Sequence, residues 1–331
     1  MYYLYHKITT LGHIGFGHPK YLATKVMRKV IGIGETILDI IFKNDQPWTA
    51  VPGGSVFNSI ISLARLGLTV DFVSEVGQDH VGELIKRYMQ DNGVTPHLDE
   101  YAHNKSAVSL AFLNDNNDAQ YTFFKNYPEQ RLMVELPEVE ENDVVMLGSF
   151  YAVDPTLRHK VVELLQKARD NKAIVLYDLN YRMPHKNDAI KVAPYMLENL
   201  EYADIVRGSE EDFMCLYNLC DADKIYEDKI KFYCKNFVYT AGAKDVQLRT
   251  ASLKKNYAVP PMEPVSTVGA GDNFNAGLVY GLLKQDIGHD DVATLTEQQW
   301  DKLINCGMKF SAVVCMSTDN SVPKGFKIEN L

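Results

Sequence analysis

The 331 residues carry a formal net charge of −9, and 46% of them are hydrophobic, which is typical of a soluble globular protein with a large core. No run of lysine or arginine interleaves with aromatic residues, which argues against a nucleic-acid partner. No apolar run reaches the roughly 18 residues that a membrane helix needs. The five cysteines lack C-x-x-C spacing and the histidines lack an H-E-x-x-H motif, so we expect reduced thiols, a cytoplasmic location and no zinc site.

The first 26 residues contain no aspartate or glutamate, and glycines and a His-Pro pair interrupt every short apolar run. A signal peptide needs an unbroken apolar stretch and a cleavage site, so we do not predict one. We expect residues 1–26 to be a disordered tail or to precede a native start at Met27, with a functional extension as the alternative.

From residue 29 onward, apolar segments alternate with amphipathic ones. The pattern predicts strands at 29–33, 36–42, 69–73, 143–147, 173–178, 205–206 and 237–240. It predicts helices at 56–66, 77–89, 155–170, 191–200, 210–219 and 297–316, and a further helix after the glycine turn at 269–271. This order favours a parallel sheet with helices on both faces.

Two regions depart from the alternation. Residues 95–126 contain β segments at 106–113 and 121–124, joined by a polar turn at 114–118, and no helix interrupts them. An inserted hairpin of this kind is a candidate lid. A second hairpin is predicted at 246–259.

The stretch from Val265 to Leu283 combines a tight glycine turn with the start of a helix. Gly269 and Gly271 flank Ala270, Asp272 follows at once, and apolar residues then recur with helical spacing. Small residues let backbone N–H groups approach an anion, and the helix dipole strengthens such a site. A carboxylate beside it suits a general base in phosphoryl transfer. The turn alone does not decide between this role for Asp272 and that of a helix N-cap.

A second glycine turn, Gly53-Gly54, precedes the helix that carries Asn58. It is either a simple turn or a place where a ligand approaches the backbone, with the Asn58 amide available to ligand hydroxyls. Asp39 lies among isoleucines and a leucine, so its carboxylate either faces solvent on a strand or binds a polar partner.

Polar clusters follow several predicted strands, at residues 178–182, 207–210 and 240–243. Ligands of parallel α/β sheets bind at the carboxyl ends of the strands, so we expect these clusters to share one site with Asp272. A nicotinamide-dependent dehydrogenase is the alternative enzyme class. It is disfavoured because Ile37 stands where its fingerprint needs a third glycine.

Two ordered signatures resemble those of the PfkB (ribokinase-like) sugar kinases, over essentially all of residues 27–331. The first comprises Gly53-Gly54-x-x-x-Asn58, Leu63-Ala64-Arg65-Leu66-Gly67 and Gly77-x-Asp79-x-x-Gly82. The second is Thr267-Val268-Gly269-Ala270-Gly271-Asp272-x-Phe274-x-Ala276-Gly277. Two signatures in this order favour the catalytic role of Asp272 over the N-cap.

The resemblance implies a three-layer αβα fold with a mostly parallel central sheet and a small β lid formed by segments about 38–50 and 95–126. It implies ATP-dependent phosphorylation of a sugar hydroxyl with Mg²⁺, in a homodimer formed through the lid. Asp272 would be the base, and the amides of Gly269, Ala270 and Gly271 would form the anion hole.

The resemblance also implies binding residues on both sides of the site. The sugar would be bound by Asp39, Gly53, Gly54 and Asn58. Asn180 and Arg182 would face the substrate, because Asp178-x-Asn180-x-Arg182 is similar to the fructokinase and 2-keto-3-deoxygluconate kinase subgroup. On the nucleotide side, Glu210 would organise Mg²⁺ and phosphate, Thr240 and Gly242 would belong to the nucleotide loop, and Asn305 would lie near adenine.

Three residues depart from the family pattern. Arg207 stands where the N-x-x-E motif has asparagine, which predicts a direct guanidinium contact with phosphate at the ATP site. Asp245 replaces the second glycine of the G-x-x-G nucleotide loop and is expected to reshape that turn. Ser266 replaces an aspartate that lies near the cation in members activated by K⁺, so the serine argues against K⁺ as a cofactor.

The leading hypothesis is an ATP-dependent sugar kinase acting on a ketohexose-like substrate, with fructose first. Arg182 would serve a sugar acid such as 2-keto-3-deoxygluconate equally well, and a phosphorylated sugar also stays open. The three departures motivate a further alternative, a catalytically weak sugar-binding protein. Retention of Asp272 with its anion turn argues against that alternative.

Overall fold

The computed structural model describes residues 28–114 and 119–328, so the predictions for residues 1–26 and for most of the 114–118 turn lie outside the described residues. Its strands are β1 (Val30–Ile33), β2 (Ile37–Lys43), β3 (Gln46–Gly53), β4 (Val70–Gly77), β5 (Thr95–Tyr101), β6 (Lys105–Leu113), β7 (Ala119–Asn126), β8 (Val144–Gly148), β9 (Ile174–Asp178), β10 (Ile205–Ser209), β11 (Phe237–Thr240), β12 (Asp245–Arg249) and β13 (Lys254–Ala258). Its helices are α1 (Ser55–Arg65), α2 (His80–Asp91), α3 (Arg158–Asp170), α4 (Ala189–Tyr202), α5 (Glu210–Tyr217), α6 (Ala222–Ile225), α7 (Ala270–Lys284), α8 (His289–Val292) and α9 (Glu297–Cys315).

A nine-stranded sheet forms the middle layer, in the order β13-β12-β11-β10-β9-β8-β1-β4-β5. All neighbours from β5 to β11 are parallel, and β12 and β13 add the predicted antiparallel hairpin at one edge. Central strands such as β1 and β8 are continuous apolar runs because both of their faces are buried.

Helices cover both faces of this sheet. One core cluster joins the sheet to α1, α7 and α9 through side chains such as Phe57, Leu278 and Phe310. A second cluster joins the opposite face to α3, α4 and α5, with Val161 and Phe213 among its members. The predicted three-layer αβα fold is confirmed. Within the described ranges, no helix is both long and apolar enough to cross a membrane.

A smaller, mostly antiparallel sheet has the order β3-β2-β6-β7 and contains the expected hairpin of β6 and β7. One boundary of the predicted lid needs correction, since β5 pairs in parallel with β4 and extends the large sheet. The edge of β4 presents a regular row of backbone N–H and C=O groups. Only a further strand, here β5, can form ladder hydrogen bonds with the whole row. Because no helix separates β5 from β6, the sequence pattern could not show that they belong to different sheets.

Candidate active site

Helix α7 begins at the predicted glycine turn. Gly269 occupies the N-cap position with a φ of 78°, a left-handed conformation that glycine adopts at little cost. A Cβ at this position would lie 2.7 Å from the backbone O of Asn320. Since Gly269 has no side chain to cap the first turn, the helix N-terminus can offer its N–H groups and its dipole to an anion. The Ala270 N–H now donates to the Thr267 carbonyl at 3.2 Å and would have to exchange this partner.

Asp272 is the third residue of α7, so the N-cap alternative does not apply. Its Oδ2 accepts a hydrogen bond from Asn58 Nδ2 of α1 at 2.8 Å, and its backbone O accepts one from Ser59 Oγ at 2.6 Å. Burial raises the pKa of Asp272 to about 6, although the Asn58 hydrogen bond opposes the shift. A carboxylate with this pKa is ionised at neutral pH and is a stronger base than an ordinary aspartate.

Asp39 of β2 faces the same site from the small sheet, and it is buried rather than solvated. Ser109 Oγ of β6 donates to its Oδ1, and Asn320 Nδ2 donates to its Oδ2 at 3.3 Å. Burial raises the pKa of Asp39 to about 7; the Ser109 hydrogen bond lowers it, and the charge of Asp272 raises it. The effect of the Asp272 charge on Asp39 indicates that the two carboxylates share one site.

The turn at Gly53-Gly54 brings backbone close to these acidic groups. A Cβ on Gly53 would overlap Oδ2 of Asp39, and one on Gly54 would overlap the carbonyl O of Glu35. Both glycines therefore serve close approach within the protein. Asn58 Oδ1 is buried and has no hydrogen-bond partner among the described residues, so this oxygen can accept a bond from a ligand hydroxyl.

Arg207 of β10 lies against the anion turn. Its Nη1 contacts both carboxylate oxygens of Asp178, at 3.1 and 3.2 Å, and its Nη2 donates to Thr240 Oγ1 at 2.6 Å. A Cβ on Gly271 would lie 3.0 and 3.2 Å from the two Nη atoms. The guanidinium and the first turn of α7 therefore border the same space, which fits an anion. The guanidinium contact with phosphate stays a prediction.

Asp178 is the carboxylate that holds Arg207. Asn275 Nδ2 of α7 donates to it at 2.7 Å, so Asp178 joins β9, β10 and α7. Burial raises the pKa of Asp178, while the Arg207 charge opposes this effect. Removal of either partner would leave the other charge buried and unpaired.

Arg182 follows β9 and lies within electrostatic range of Tyr121 of the small sheet. Its Nη1 donates to Glu211 at 2.9 Å, and both side chains are about half exposed. Burial lowers the pKa of Arg182, but Asp212, Glu211 and Asp272 together raise it, so the guanidinium lies within electrostatic range of the base. Asn180 precedes it in a left-handed conformation and is buried.

The nucleotide side contains an ion pair that the sequence did not indicate. Lys244 Nζ bonds both carboxylate oxygens of Glu210, at 3.0 and 2.9 Å, so this predicted organiser of Mg²⁺ already has a cationic partner. Gly242 lies in the same loop between β11 and β12. Asp245 begins β12, and its carbonyl accepts the Ala241 N–H at 3.0 Å, which closes the loop without a second glycine.

The described residues include no cluster of three or more His, Cys, Asp or Glu side chains that could hold a metal ion. A magnesium ion that arrives with nucleotide phosphates and keeps its waters fits this surrounding better than a protein cage. Asn305 lies on α9 with an exposed side chain, away from the contacts described above.

Several residues of this site are not indicated by the sequence pattern. Ser109 and Asn320 bond Asp39, Lys244 bonds Glu210, and Tyr121 of β7 lies within electrostatic range of Asp39, Asp272 and Arg182. Ser109, Asn320 and Tyr121 belong to no motif, because they reach the site through pairing or packing of distant segments. Lys244 occupies a variable position of the 242–245 nucleotide loop, so the motif does not specify a lysine there. The small sheet brings in Ser109 and Tyr121, and the loop after α9 brings in Asn320.

Residues 27–323 match the model of a family described as pfkB family carbohydrate kinase. This chain belongs to that family. The PfkB kinase is therefore a phosphotransferase that acts on a sugar hydroxyl, and its fold and first-turn aspartate agree with the two signatures in its sequence.

Its relatives differ in the substrates that their names state. The chain is 26% identical to an aminoimidazole riboside kinase from Salmonella typhimurium, over 78% of this chain and 82% of the relative. It is 25% identical to a 5-dehydro-2-deoxygluconokinase from Clostridium botulinum, over 70% and 72%. A crystal structure of fructokinase from Vibrio cholerae O395, in a fructose, ADP and calcium ion bound form, shares the fold with a TM-score of 0.75 at 20% identity, over 89% and 94% of the two chains.

Proposed function

We propose that this PfkB kinase transfers the γ-phosphoryl group of ATP to a hydroxyl of a small sugar, with a fructose-like ketohexose as the leading substrate. One observation carries the proposal. A buried carboxylate with a pKa of about 6, that of Asp272, lies one turn from a glycine N-cap that is open to an anion. A base and an anion site at this spacing are what phosphoryl transfer to an alcohol requires.

The sugar would lie between Asp39 and Asp272. Asp39 Oδ2 and Asn58 Oδ1 accept hydrogen bonds from sugar hydroxyls and orient the reacting one toward Asp272. Asp272 Oδ1 then accepts the proton of that hydroxyl as the hydroxyl oxygen attacks the γ-phosphorus of ATP, and the bond from this phosphorus to the departing ADP breaks. The hydrogen bond from Asn58 Nδ2 to Asp272 Oδ2 persists, so the Asp272 carboxylate cannot rotate away from the hydroxyl.

The transferring group would lie at the first turn of α7. Bound ATP supplies the phosphoryl group, and Mg²⁺ bound with it neutralises part of the phosphate charge. The backbone N–H groups at Gly271 and Asp272 and the Arg207 guanidinium stabilise the negative charge that develops there. Thr240 and Asp178 hold the guanidinium in place, so it needs little reorganisation during the reaction.

A sugar acid is the second candidate substrate, and Arg182 is the observation that favours it. This guanidinium lies within electrostatic range of Asp272, and its partner Glu211 is a half-exposed carboxylate that water can replace. An acceptor with its own carboxylate would compete with Glu211 for Arg182. One relative is named 5-dehydro-2-deoxygluconokinase, and this name states a sugar acid as its substrate.

The small sheet would act as the lid and as the dimer interface. Asp39, Ser109 and Tyr121 come from one face of this sheet, so its motion would open and close the sugar site. The opposite face is apolar and partly exposed, and it would pack against the same face of a second copy.

The test is ATP consumption by the purified protein with fructose, 2-keto-3-deoxygluconate, ribose, tagatose, fructose phosphates and nucleosides, with Mg²⁺ and with or without K⁺. We expect a ketohexose or a sugar acid to stimulate turnover. Asp272→Asn should reduce kcat by about 10² to 10⁴, because the amide cannot accept the proton, while sugar binding persists. Near-normal turnover by Asp272→Asn would contradict its role as the base.

A further inference from the structure

The loop after α9 carries a buried asparagine into the centre of the site. Asn320 is 1% exposed, and Asp39, which it contacts, stands 281 positions earlier in the chain. Neighbouring residues anchor the loop to α1: Ser321 Oγ donates to the Asn58 carbonyl at 3.2 Å, and the Val322 N–H donates to Ser62 Oγ at 3.1 Å.

The side chain of Asn320 lies beside the carboxylate that is proposed to bind the sugar. Its Nδ2 donates to Asp39 Oδ2 at 3.3 Å and would lie 3.1 Å from a Cβ on Gly53. Asp39 Oδ1 is held by Ser109, so the two donors fix the carboxylate from both oxygens. One donor comes from β6 of the small sheet and the other from the loop after α9.

The backbone of Asn320 belongs to the phosphate side. Its carbonyl accepts a hydrogen bond from Asn273 Nδ2 at 2.8 Å, and the same Nδ2 donates to the Gly269 carbonyl at 2.8 Å. The carbonyl of Asn320 also fills the space that a side chain on Gly269 would need. One residue thus contacts both the sugar-binding carboxylate and the start of the anion turn.

We infer that Asn320 is a positioning residue that fixes the Asp39 carboxylate relative to the anion turn and thereby sets the affinity for the sugar. This inference rests on the proposed sugar-kinase function. Asn320 acts through Asp39, since its N–H₂ group donates to the Asp39 carboxylate and the Asn320 side chain is buried.

The charges around Asp39 predict that a positioning role of Asn320 should affect the pH dependence of sugar binding. Asp272 faces Asp39 from α7, Glu35 faces it from the connection before β2, and the Tyr121 hydroxyl faces it from β7. The negative charges of Asp272 and Glu35 disfavour its ionised form, whereas the hydrogen bonds from Ser109 and Asn320 favour it. Loss of the Asn320 donor should therefore raise the pKa of Asp39 further.

The experiment compares sugar binding by calorimetry and steady-state kinetics between pH 5.5 and 9 for Asn320→Ala and Asn320→Asp. Asn320→Ala should raise the Kd and KM for the sugar about 10-fold and leave the KM for ATP within about 2-fold. The acid limb of kcat/KM for the sugar should move to higher pH by about 0.5 to 1 unit. Asn320→Asp keeps the side-chain shape, lacks the donor and adds a charge, so it should move the limb further in the same direction.

Ser321→Ala is the matched control, because it loosens the same loop without contact to Asp39 and should leave the acid limb in place. The positioning role would be overturned if Asn320→Ala lost kcat/KM equally at every pH and Ser321→Ala showed the same loss. An Asn320→Ala enzyme with unchanged sugar affinity and acid limb would overturn it as well, and in both cases wild-type turnover would leave the proposed function standing. Absence of sugar binding and of sugar-dependent ATP consumption in the wild type would overturn both.

Discussion

Asp39 and Asp272 are held in the folded protein with pKa values of about 7 and 6, well above the ordinary value for aspartate. In the unfolded chain both groups ionise near pH 4, so the folded state binds more protons between pH 4 and 7. Their contribution to stability is therefore neutral below pH 4, becomes unfavourable as the pH rises, and is fully unfavourable above about pH 7. The proposed reaction needs both acids. At the pH where they act, both lower the free energy of unfolding.

Asp272→Asn should consequently stabilise the protein while it removes activity. We expect the free energy of unfolding at pH 8 to rise by on the order of 1–3 kcal/mol, because the asparagine carries no buried charge and can still accept from Asn58. The gain should be roughly half as large at pH 5 and absent near pH 3.5. Urea unfolding at the three pH values measures it.

The control for this measurement is Asp45→Asn, which changes an exposed aspartate in the turn between β2 and β3. It should alter the free energy of unfolding by less than about 0.5 kcal/mol at every pH. A stabilisation by Asp272→Asn that does not depend on pH would contradict the electrostatic explanation.

At the residue level, the sequence could indicate only those site residues that lie in local motifs. Asp272, Gly269 and Asn58 follow glycine turns, whose spacing is visible in the chain. Ser109 and Asn320 bond Asp39 across 70 and 281 positions, and no local pattern marks a contact of that kind. The carboxylate of Asp39 was predicted, but its donors were not.

At the level of single elements, α7 depends on the turn that precedes it. Gly269→Ala would combine a left-handed φ of 78° with a Cβ only 2.7 Å from the Asn320 carbonyl. Since backbone fills that space, the turn or the 320–322 loop must shift. We expect a loss of 1–3 kcal/mol in the free energy of unfolding and at least a 10-fold loss of kcat/KM.

Gly67→Ala is the comparison for this variant. Gly67 has the same φ of 78°, but a Cβ there would meet no atom within 4 Å. Thermal unfolding and kinetics of the two proteins separate backbone strain from the contact with Asn320. Equal effects of the two substitutions on kcat/KM would show that the contact has no importance for catalysis.

Most elements of the large sheet were predictable, because buried parallel strands are continuous apolar runs between amphipathic helices. The small sheet was harder to predict. No strand was predicted over β3, which is largely exposed and contains Pro47 and Pro52, as an edge strand can. The assignment of β5 to the lid failed because a strand pattern does not state its pairing partner.

At the level of the whole molecule, the outer face of the small sheet leaves apolar side chains exposed, among them Phe112 and Phe124. Its pairing register places the apolar side chains of Ile40, Phe42, Leu110, Phe112 and Phe124 on one face, opposite to that of Asp39. Exposed patches of this kind mark association surfaces. A second copy would cover the face through a twofold axis, as proposed above.

Phe124→Glu should convert such a dimer to a monomer, since Phe124 is 57% exposed and its replacement places a charge in the contact. Sedimentation or light scattering at about 10 μM measures the change. Phe232→Glu is the control, because Phe232 is 84% exposed and lies outside the small sheet. A wild-type protein that is monomeric at this concentration, or a dimer that survives Phe124→Glu, would contradict the proposed interface.

The long separation between Asn320 and Asp39 also has a consequence for protein synthesis. A ribosome releases Asp39, then Asn58, then the turn before α7, and Asn320 after all of these. The strands around β1 can pair much earlier, since β4 and β8 are complete by residue 148. The growing polypeptide would thus assemble much of its sheet before Asp39 acquires its second donor, and the sugar site would be completed only after residue 320 has been released.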